Sequence, residues 1–203
     1  MNKIITIGRE FGSGGREIGK RLAEKIGFAY YDHEIIAEIA KRTNLAQEYV
    51  RSVVEHKPVF RFPITIGQTL HAPVPDYLAD QQSVIYAQQT EVIREMANES
   101  DCVIVGRCAD YILRDQHPLR VFIYANMPER IERCRRYSVE HEMLSNSALK
   151  QQILSIDKER ARYYQNYTGQ KWGVRENYDI CINTSQVTVK EAVSAIAAIF
   201  QKD

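Results

Sequence analysis

The sequence predicts an α/β protein of three layers, with a parallel sheet covered by helices on both faces. Short β-branched runs such as Ile4 to Ile7 alternate with longer segments of helical periodicity. Parallel strands need crossover connections, and those crossovers cover the sheet on both sides. The 203 residues suit one domain, and no repeat or linker divides them. We therefore expect a single domain over residues 1–203.

The first 27 residues predict a strand, a glycine-rich bend and a helix. The run KIITI at 3–7 is apolar and β-branched, as in a strand buried on both faces. From Gly15 or Arg16 to Ile26, apolar residues recur at helical spacing, and Gly27 suits a C-terminal cap. This order of elements is how many proteins hold a phosphate chain.

Strands and helices alternate along the rest of the chain. Further strands are predicted at 28–32, 102–106, 120–125 and 178–184. Further helices are predicted at 33–43, 44–56, 76–100, 127–144, 147–169 and 188–201. Between 57 and 75 the pattern changes, because four of the six prolines fall there, which excludes a helix or a central strand. We expect an ordered loop or an arm that reaches a partner chain.

Composition excludes several classes of protein. A hydrophobic content of 44% and a net charge of +1 argue against disorder and against a strongly cationic nucleic-acid scaffold. No apolar run reaches the roughly 18 residues of a membrane span, and the N-terminal run is too short for a signal peptide. The four cysteines lack the spacing of a zinc site, so we expect reduced, mostly buried thiols, no protein-held metal and a cytoplasmic location. They are Cys102, Cys108, Cys134 and Cys181.

The bend after the first strand, GREFGSGGRE, is suited to bind phosphate. Glycines let backbone N–H groups converge on an anion, and the following helix adds the partial positive charge of its N-terminus. The pattern G-x-x-x-x-G-K-[ST] is not met, since Gly15 stands where the lysine is expected and Arg16 where the magnesium-binding hydroxyl is expected. Arg9 or Arg16 can supply the missing positive charge.

Two other interpretations of this bend remain open. It can be a tight strand-to-helix turn whose glycines serve packing alone. It can also be a dinucleotide loop, because Asp32 lies about 20 residues after Gly12, the spacing of a ribose-binding acid. Against the second interpretation, Glu17 occupies the last glycine position of the G-x-G-x-x-G pattern.

Charged residues follow the second and third strands. Asp32 can accept hydrogen bonds from a sugar or a base, or it can cap the helix that begins near His33. Arg107 follows an apolar strand and a glycine, where a guanidinium faces the ligand crevice and suits a bidentate grip on phosphate. Its alternative is an ion pair with a structural carboxylate such as Asp110.

Arginines are dense after the fourth strand. Arg130, Arg133, Arg135 and Arg136 fall within seven residues, and Lys158, Arg160 and Arg162 follow on the next helix. Phosphoryl transfer needs cations around the migrating group, and a helical lid can deliver them. The alternative is a solvated face with i,i+4 pairs such as Glu132 with Arg136.

Four segments together resemble the cytidylate kinase-like family, a branch of the P-loop nucleoside monophosphate kinases. They are GREFGSGGREIGKRLAEKIG, YYDHEII, VIVGRCADYIL and DKERARYY…YDICINTS, and the resemblance spans roughly residues 1 to 200. It implies transfer of the γ-phosphoryl of ATP, with Mg²⁺, onto CMP or dCMP. It also implies an acceptor-binding region at about 30–100 and a lid at about 127–165. The family's loop lysine and hydroxyl are replaced here, and Val105 stands where an acid is usual.

The resemblance also implies roles for individual residues. Around the donor nucleotide it places Gly12, Ser13, Gly14, Gly15, Arg16, Asn183 and Thr184. Around the acceptor it places Asp32, Arg107 and Asp157. Around the transferring phosphoryl group it places Arg16, Arg133, Arg136, Arg160 and Arg162.

Three functions compete on these observations. The first is a kinase that acts on a small-molecule nucleotide, whose own phosphate serves as nucleophile. The second is a nucleotide-binding regulator that kept the pocket and lost turnover, with the 57–75 arm reaching a second subunit of a homodimer. The third is a dinucleotide-dependent reductase, which the density of arginines disfavours because hydride transfer does not need them.

Overall fold

The computed structural model describes residues 2–55, 76–137 and 144–200. It confirms the predicted α/β class, with one five-stranded parallel sheet between layers of helices. The proline-rich arm predicted at 57–75 and residues 138–143 of the expected lid lie outside the described residues. The arm and its link to a second subunit therefore stay predictions.

All five predicted strands are present within two residues at either end. They are β1 (Ile4–Arg9), β2 (Ala29–Tyr31), β3 (Cys102–Val105), β4 (Leu119–Tyr124) and β5 (Ile180–Asn183). Their order across the sheet is β2-β3-β1-β4-β5, and every neighbouring pair is parallel.

The long predicted helices are also present, and the structure adds short ones. The helices are α1 (Gly15–Ile26), α2 (His33–Thr43), α3 (Gln47–Glu55), α4 (Asp76–Glu99), α5 (Ala109–Ile112), α6 (Met127–Tyr137), α7 (Asn146–Thr168) and α8 (Val189–Phe200). Two 3₁₀ turns occupy Arg114–Gln116 and Arg175–Asn177. The sequence did not reveal α5 or these turns, since elements of three or four residues are too short to show a period.

The sheet separates two hydrophobic cores, because successive strand residues point to opposite faces. Ile5 and Ile7 of β1 pack with the buried faces of α1 and α8. Ile4, together with Ile104 of β3, packs with α2, α3, α4 and α5 on the other side. Both faces of the central strands are thus covered, which is why their sequences are apolar throughout.

One edge of the sheet collects the residues that follow the strands. Since β1 lies between β3 and β4, its loop leaves the sheet at the point where the strand order reverses, the usual ligand site of such sheets. The first residues beyond the five strands are Glu10, Asp32, Gly106, Ala125 and Thr184. The candidate site is built at this edge.

All four cysteines are free, as predicted, and three of them are buried while Cys181 is exposed. Among the described residues, no helix combines the length and the apolar character that a membrane crossing requires.

Candidate active site

The glycine-rich bend, residues 10–14, is a tight turn that leads into α1. The N–H and the hydroxyl of Ser13 both donate to the carbonyl oxygen of Glu10, at 3.3 and 2.8 Å. Gly12 and Gly14 adopt φ values of 76° and 85°, which side chains disfavour. Gly14 caps α1 without a side-chain hydrogen bond. The first-turn N–H groups of α1 thus have no capping side chain, and the positive end of the helix faces this edge.

Three side chains bind the carbonyl oxygens of the bend. Arg130 Nε donates to Phe11 at 2.7 Å, Arg133 Nη1 to Gly12 at 2.8 Å and Thr184 Oγ1 to Ser13 at 2.7 Å. In a planar trans peptide the N–H points opposite to the C=O. The N–H of Gly12 therefore points away from Arg130, and the N–H of Gly14 points away from Thr184, so neither side chain blocks an anion from these donors.

Arg130 locks the bend to the helices behind it. Its guanidinium, 5% exposed, pairs with Asp157 and lies 3.2 Å from Glu10 Oε2. Asp157 also accepts a hydrogen bond from the N–H of Phe11 at 2.8 Å. Burial raises the pKa of Glu10, while a hydrogen bond from the N–H of Ala125 acts in the opposite direction. A buried ion network of this kind holds the bend in one conformation.

Arginines gather in front of the bend around one buried carboxylate. Asp32 is 1% exposed, with Arg16 Nε 2.6 Å from one oxygen and Arg9 Nη2 4.0 Å from the other. Neither oxygen meets hydrogen-bond geometry with a described residue. Burial, followed by the charge of Arg160, lowers the pKa of Arg9, and Arg107 and Arg16 add to this effect, while Asp32 acts in the opposite direction. Arg160 also lies 3.7 Å from Asp157, a carboxylate that Arg130 shares. The guanidinium groups outnumber the carboxylates here, and this surplus of positive charge favours an anion.

The corner after β3 holds Arg107 in an uncommon backbone conformation. Gly106, Arg107 and Cys108 have φ values of 74°, 62° and 55°, three left-handed residues in succession. Gln89 Nε2 donates to the carbonyl oxygen of Arg107 at 2.9 Å, and Tyr163 donates to Gln89 at 3.1 Å. Strained residues of this kind persist where the surroundings over-determine them, and they concentrate at functional sites.

A cavity of about 50 Å³ lies beside this corner. The cations Arg9, Arg107 and Arg160 border it together with Val54, Tyr163 and Trp172. Three guanidinium groups around one cavity suit an anion, and a cavity of this size admits only a small anionic group.

The structure brings most of the sequence-predicted site residues to one edge and leaves others at a distance from it. The bend glycines, Arg16, Asp32, Arg107, Arg133, Asp157 and Arg160 lie along that edge. Thr184 is buried and anchors the bend, and Asn183 accepts the N–H of Ser185 at 3.0 Å. Arg136 and Arg162 instead pair with glutamates of their own helices, Glu132 and Glu159. The catalytic roles of these two arginines stay predictions.

Sequence reasoning did not single out the side chains that organise the site. Arg9 was one of two possible sources of charge, and its position at the end of β1 was the signal for it. Arg130 belonged to a run of arginines in which nothing distinguished the buried one. Gln89 and Tyr163 carried no signal, because they reach the corner from the helices α4 and α7.

The described residues contain no group of three or more histidine, cysteine, aspartate or glutamate side chains that could hold a metal ion. The position expected to supply a magnesium-binding hydroxyl is Arg16, which lies against Asp32. Magnesium often binds chiefly through substrate phosphates and water, so any Mg²⁺ here would arrive with the nucleotide.

A parallel sheet with a phosphate-type bend after β1 and cations on the same edge defines the class of P-loop kinase folds. The model of the cytidylate kinase-like family matches residues 4–186, and the chain belongs to that family.

Individual relatives are distant. The chain is 26% identical to a cytidylate kinase of Dichelobacter nodosus (strain VCS1703A), with 99% of this chain and 97% of that protein covered. A crystal structure of an uncharacterized protein from Eubacterium ventriosum ATCC 27560 matches over the full length of both chains, with a TM-score of 0.72 and 28% identity. The structure of a shikimate kinase from Bacteroides thetaiotaomicron matches over 98% of both chains, with a TM-score of 0.58 and 13% identity. At this identity the likeness is one of fold alone.

Proposed function

We propose that this protein transfers the γ-phosphoryl group of ATP to a nucleoside monophosphate, with CMP or dCMP as the acceptor. The observation that carries the proposal is the meeting of a phosphate-type bend with Arg9, Arg107 and Arg160 at one sheet edge. Membership of the cytidylate kinase-like family supports nucleotide kinase chemistry. The choice of acceptor is our inference from that membership.

The chemistry needs no general base. An oxygen of the acceptor's phosphate attacks the γ-phosphorus of ATP, the bond to the β,γ-bridging oxygen breaks, and ADP leaves. The N–H groups of the bend and of α1 hold the donor phosphates, and Arg107 holds the acceptor's phosphate. Arg133 and Arg160 stabilise the charge that spreads over the migrating group. Mg²⁺ bound to ATP would neutralise part of the donor charge.

The wider organisation belongs to the same proposal. We assign acceptor binding to the region of about 30–100 and a lid to about 127–165, both within one domain. Arg136 and Arg162 would then exchange their glutamate partners for phosphate oxygens when the lid closes. We further propose a cytoplasmic protein with no nucleic-acid or membrane partner, which forms a homodimer through the 57–75 arm.

A second candidate function is a nucleotide-binding regulator without turnover. The observation that favours it is the replacement of the loop lysine and hydroxyl by Gly15 and Arg16. Loss of one preorganised hydrogen-bond donor at a transition state can reduce kcat by about 10²–10³-fold. The site would then bind nucleotide and signal its presence through the lid or the arm.

Two measurements separate these functions. ADP production is followed with ATP–Mg²⁺ and a panel of CMP, dCMP, UMP, AMP and shikimate, and ATP binding is measured by calorimetry. We expect turnover with CMP or dCMP above the rest of the panel. Tight ATP binding with no turnover on any acceptor supports the regulator, and a change in NAD(P)H fluorescence on mixing supports the reductase.

Arg107→Ala tests the acceptor site. Removing a charged hydrogen bond to phosphate should raise the KM of the acceptor roughly 100-fold while ATP affinity is unchanged. Arg21→Ala is the matched control, because Arg21 is 56% exposed on α1 and pairs with Glu17. An unchanged acceptor KM in Arg107→Ala would show that the acceptor assignment is wrong.

A further inference from the structure

The side chain of Arg9 follows a path between two glycines that are 91 positions apart in the sequence. Its stem crosses Gly15, where an added Cβ would overlap Arg9 Cβ and lie only 3.0 Å from Cγ. Its guanidinium crosses Gly106, where an added Cβ would overlap Nη1 and lie 2.8 Å from Cζ. Both positions must therefore be glycine for Arg9 to lie where it does.

This path connects the two parts of the site. Gly15 is the first residue of α1, beside the bend that would hold the donor phosphates. Gly106 begins the corner that carries Arg107, the residue assigned to the acceptor's phosphate. The guanidinium of Arg9 thus lies between the proposed donor and acceptor sites, where the migrating phosphoryl group would pass.

The protein neutralises this guanidinium only in part. Arg9 is 11% exposed, and its side chain donates no hydrogen bond to the part of the chain that the structure describes. Its nearest carboxylate is that of Asp32, whose Oδ1 is 4.0 Å away, while Arg16 lies 2.6 Å from the other oxygen of the same carboxylate. The other strong charges acting on it, Arg160 and Arg107, are positive. A buried cation among cations is stabilised by an anion that binds between them.

We propose that Arg9, and not Arg16, replaces the lysine that is missing from the loop, and that its guanidinium binds the phosphate oxygens between the bend and the Gly106–Arg107 corner. The inference rests on the proposed function for the identity of the ligand, a nucleoside triphosphate. A guanidinium offers paired N–H donors, so it can hold two phosphate oxygens at once. Arg9 exchanges no proton in this role.

The same geometry explains why the lysine is absent. A Cβ at position 15 would overlap Arg9 Cβ and lie 3.0 Å from Cγ, so a lysine at this position is incompatible with the present path of the Arg9 side chain. Arg16 is less suited to this role because it is 51% exposed and its Nε lies against Asp32.

The exclusion can be tested with a double-mutant cycle. The four proteins are the wild type, Arg9→Gly, Gly15→Lys and the double variant, with Arg21→Ala as a control for loss of a surface charge. Glycine is used at position 9 because alanine would keep the Cβ that overlaps an added Cβ at position 15. We expect Arg9→Gly to bind ATP about 100-fold more weakly, while affinity for the uncharged nucleoside is unchanged. Gly15→Lys should also lose affinity through overlap, and the double variant should bind at least about tenfold more tightly than either single variant.

Several outcomes decide the inference. Wild-type ATP affinity in Arg9→Gly, or losses of affinity that are additive in the double variant, would overturn it. Arg9→Lys keeps the charge and loses the paired N–H donors, so its ATP affinity is expected to lie between those of the wild type and Arg9→Gly. It replaces Arg9→Gly in the comparison if the glycine variant does not fold. Failure of the proposed function looks different: if no acceptor is phosphorylated by the wild type yet the cycle behaves as expected, Arg9 binds triphosphate in a regulator.

Discussion

Two arginines beside the bend, Arg130 and Arg9, differ sharply in the charges and acceptors that surround them. Arg130 is surrounded by protein acceptors, namely the carbonyl of Phe11 and the carboxylates of Asp157 and Glu10. Arg9 is almost as buried, yet its nearest carboxylate lies 4.0 Å away and its other strong charged neighbours are cations. The difference shows that burial alone does not reveal a role. An arginine satisfied by the protein supports the fold, whereas one left with surplus charge is available to a ligand.

The largest effect is expected from breaking the ion network around Arg130. Arg130→Met removes the main cation of the half-buried Asp157 and Glu10, with Arg160 still 3.7 Å from Asp157, which should cost about 3 kcal/mol of unfolding free energy. Urea unfolding measures this loss. Arg136→Met on the same helix is the stability control, because Arg136 is 65% exposed and pairs with Glu132. Equal unfolding midpoints for the two variants would show that Arg130 stabilises the fold no more than an exposed arginine does.

The second variant displaces the guanidinium of Arg9 without removing a charge. Gly106→Ala places a methyl group where the Arg9 guanidinium lies. Misplacement of about 1 Å can cost roughly 100-fold in rate, so we expect a fall of that size in kcat/KM. Gly27→Ala is matched in backbone strain, since Gly27 has a φ of 75° with nothing within 4 Å of an added Cβ.

Gly27→Ala should lose about 1 kcal/mol of stability through its left-handed backbone and keep full activity. If both glycine variants lose activity equally, backbone strain and not Arg9 is the cause.

A smaller effect is expected for Thr184→Val, which removes the hydroxyl that holds the Ser13 carbonyl. A buried acceptor left without its donor should cost about 1–2 kcal/mol of unfolding free energy and weaken ATP binding through a looser bend. Thr184→Ser retains the hydroxyl and should restore both. Identical thermal midpoints and ATP affinities for all three proteins would mean that the bend does not depend on this anchor.

The smallest effect is expected for an arginine with solvent-exposed partners. Arg42 on α2 forms hydrogen bonds with Glu95 and Glu38 at the surface. Arg42→Ala should lower the thermal midpoint only slightly, and the difference should vanish in high salt because solvent and ions screen the pair. A large decrease in the thermal midpoint that does not depend on salt would mean that Arg42 supports the fold as Arg130 does.

Much of this organisation could be read from local patterns. The β-branched runs and the 3.6-residue periods predicted all five strands and the long helices, since burial of one face imposes those repeats. The glycine-rich bend before α1 was predicted from the same segment. Short α5 and the roles of Gln89 and Tyr163 were not, because they depend on contacts between distant segments.

The sequence by itself determined the layered sheet, the bend and the family, because these follow from periodicity and from the order of short motifs. Only the tertiary structure decided which arginine does what. Arg9 and Arg130 are the same residue type in the sequence, and they differ in which acceptors surround each guanidinium. Those acceptors, and the pair Gly15 and Gly106 that makes room for Arg9, come together only when β1, β3, α1 and α7 pack, so no local pattern could encode them.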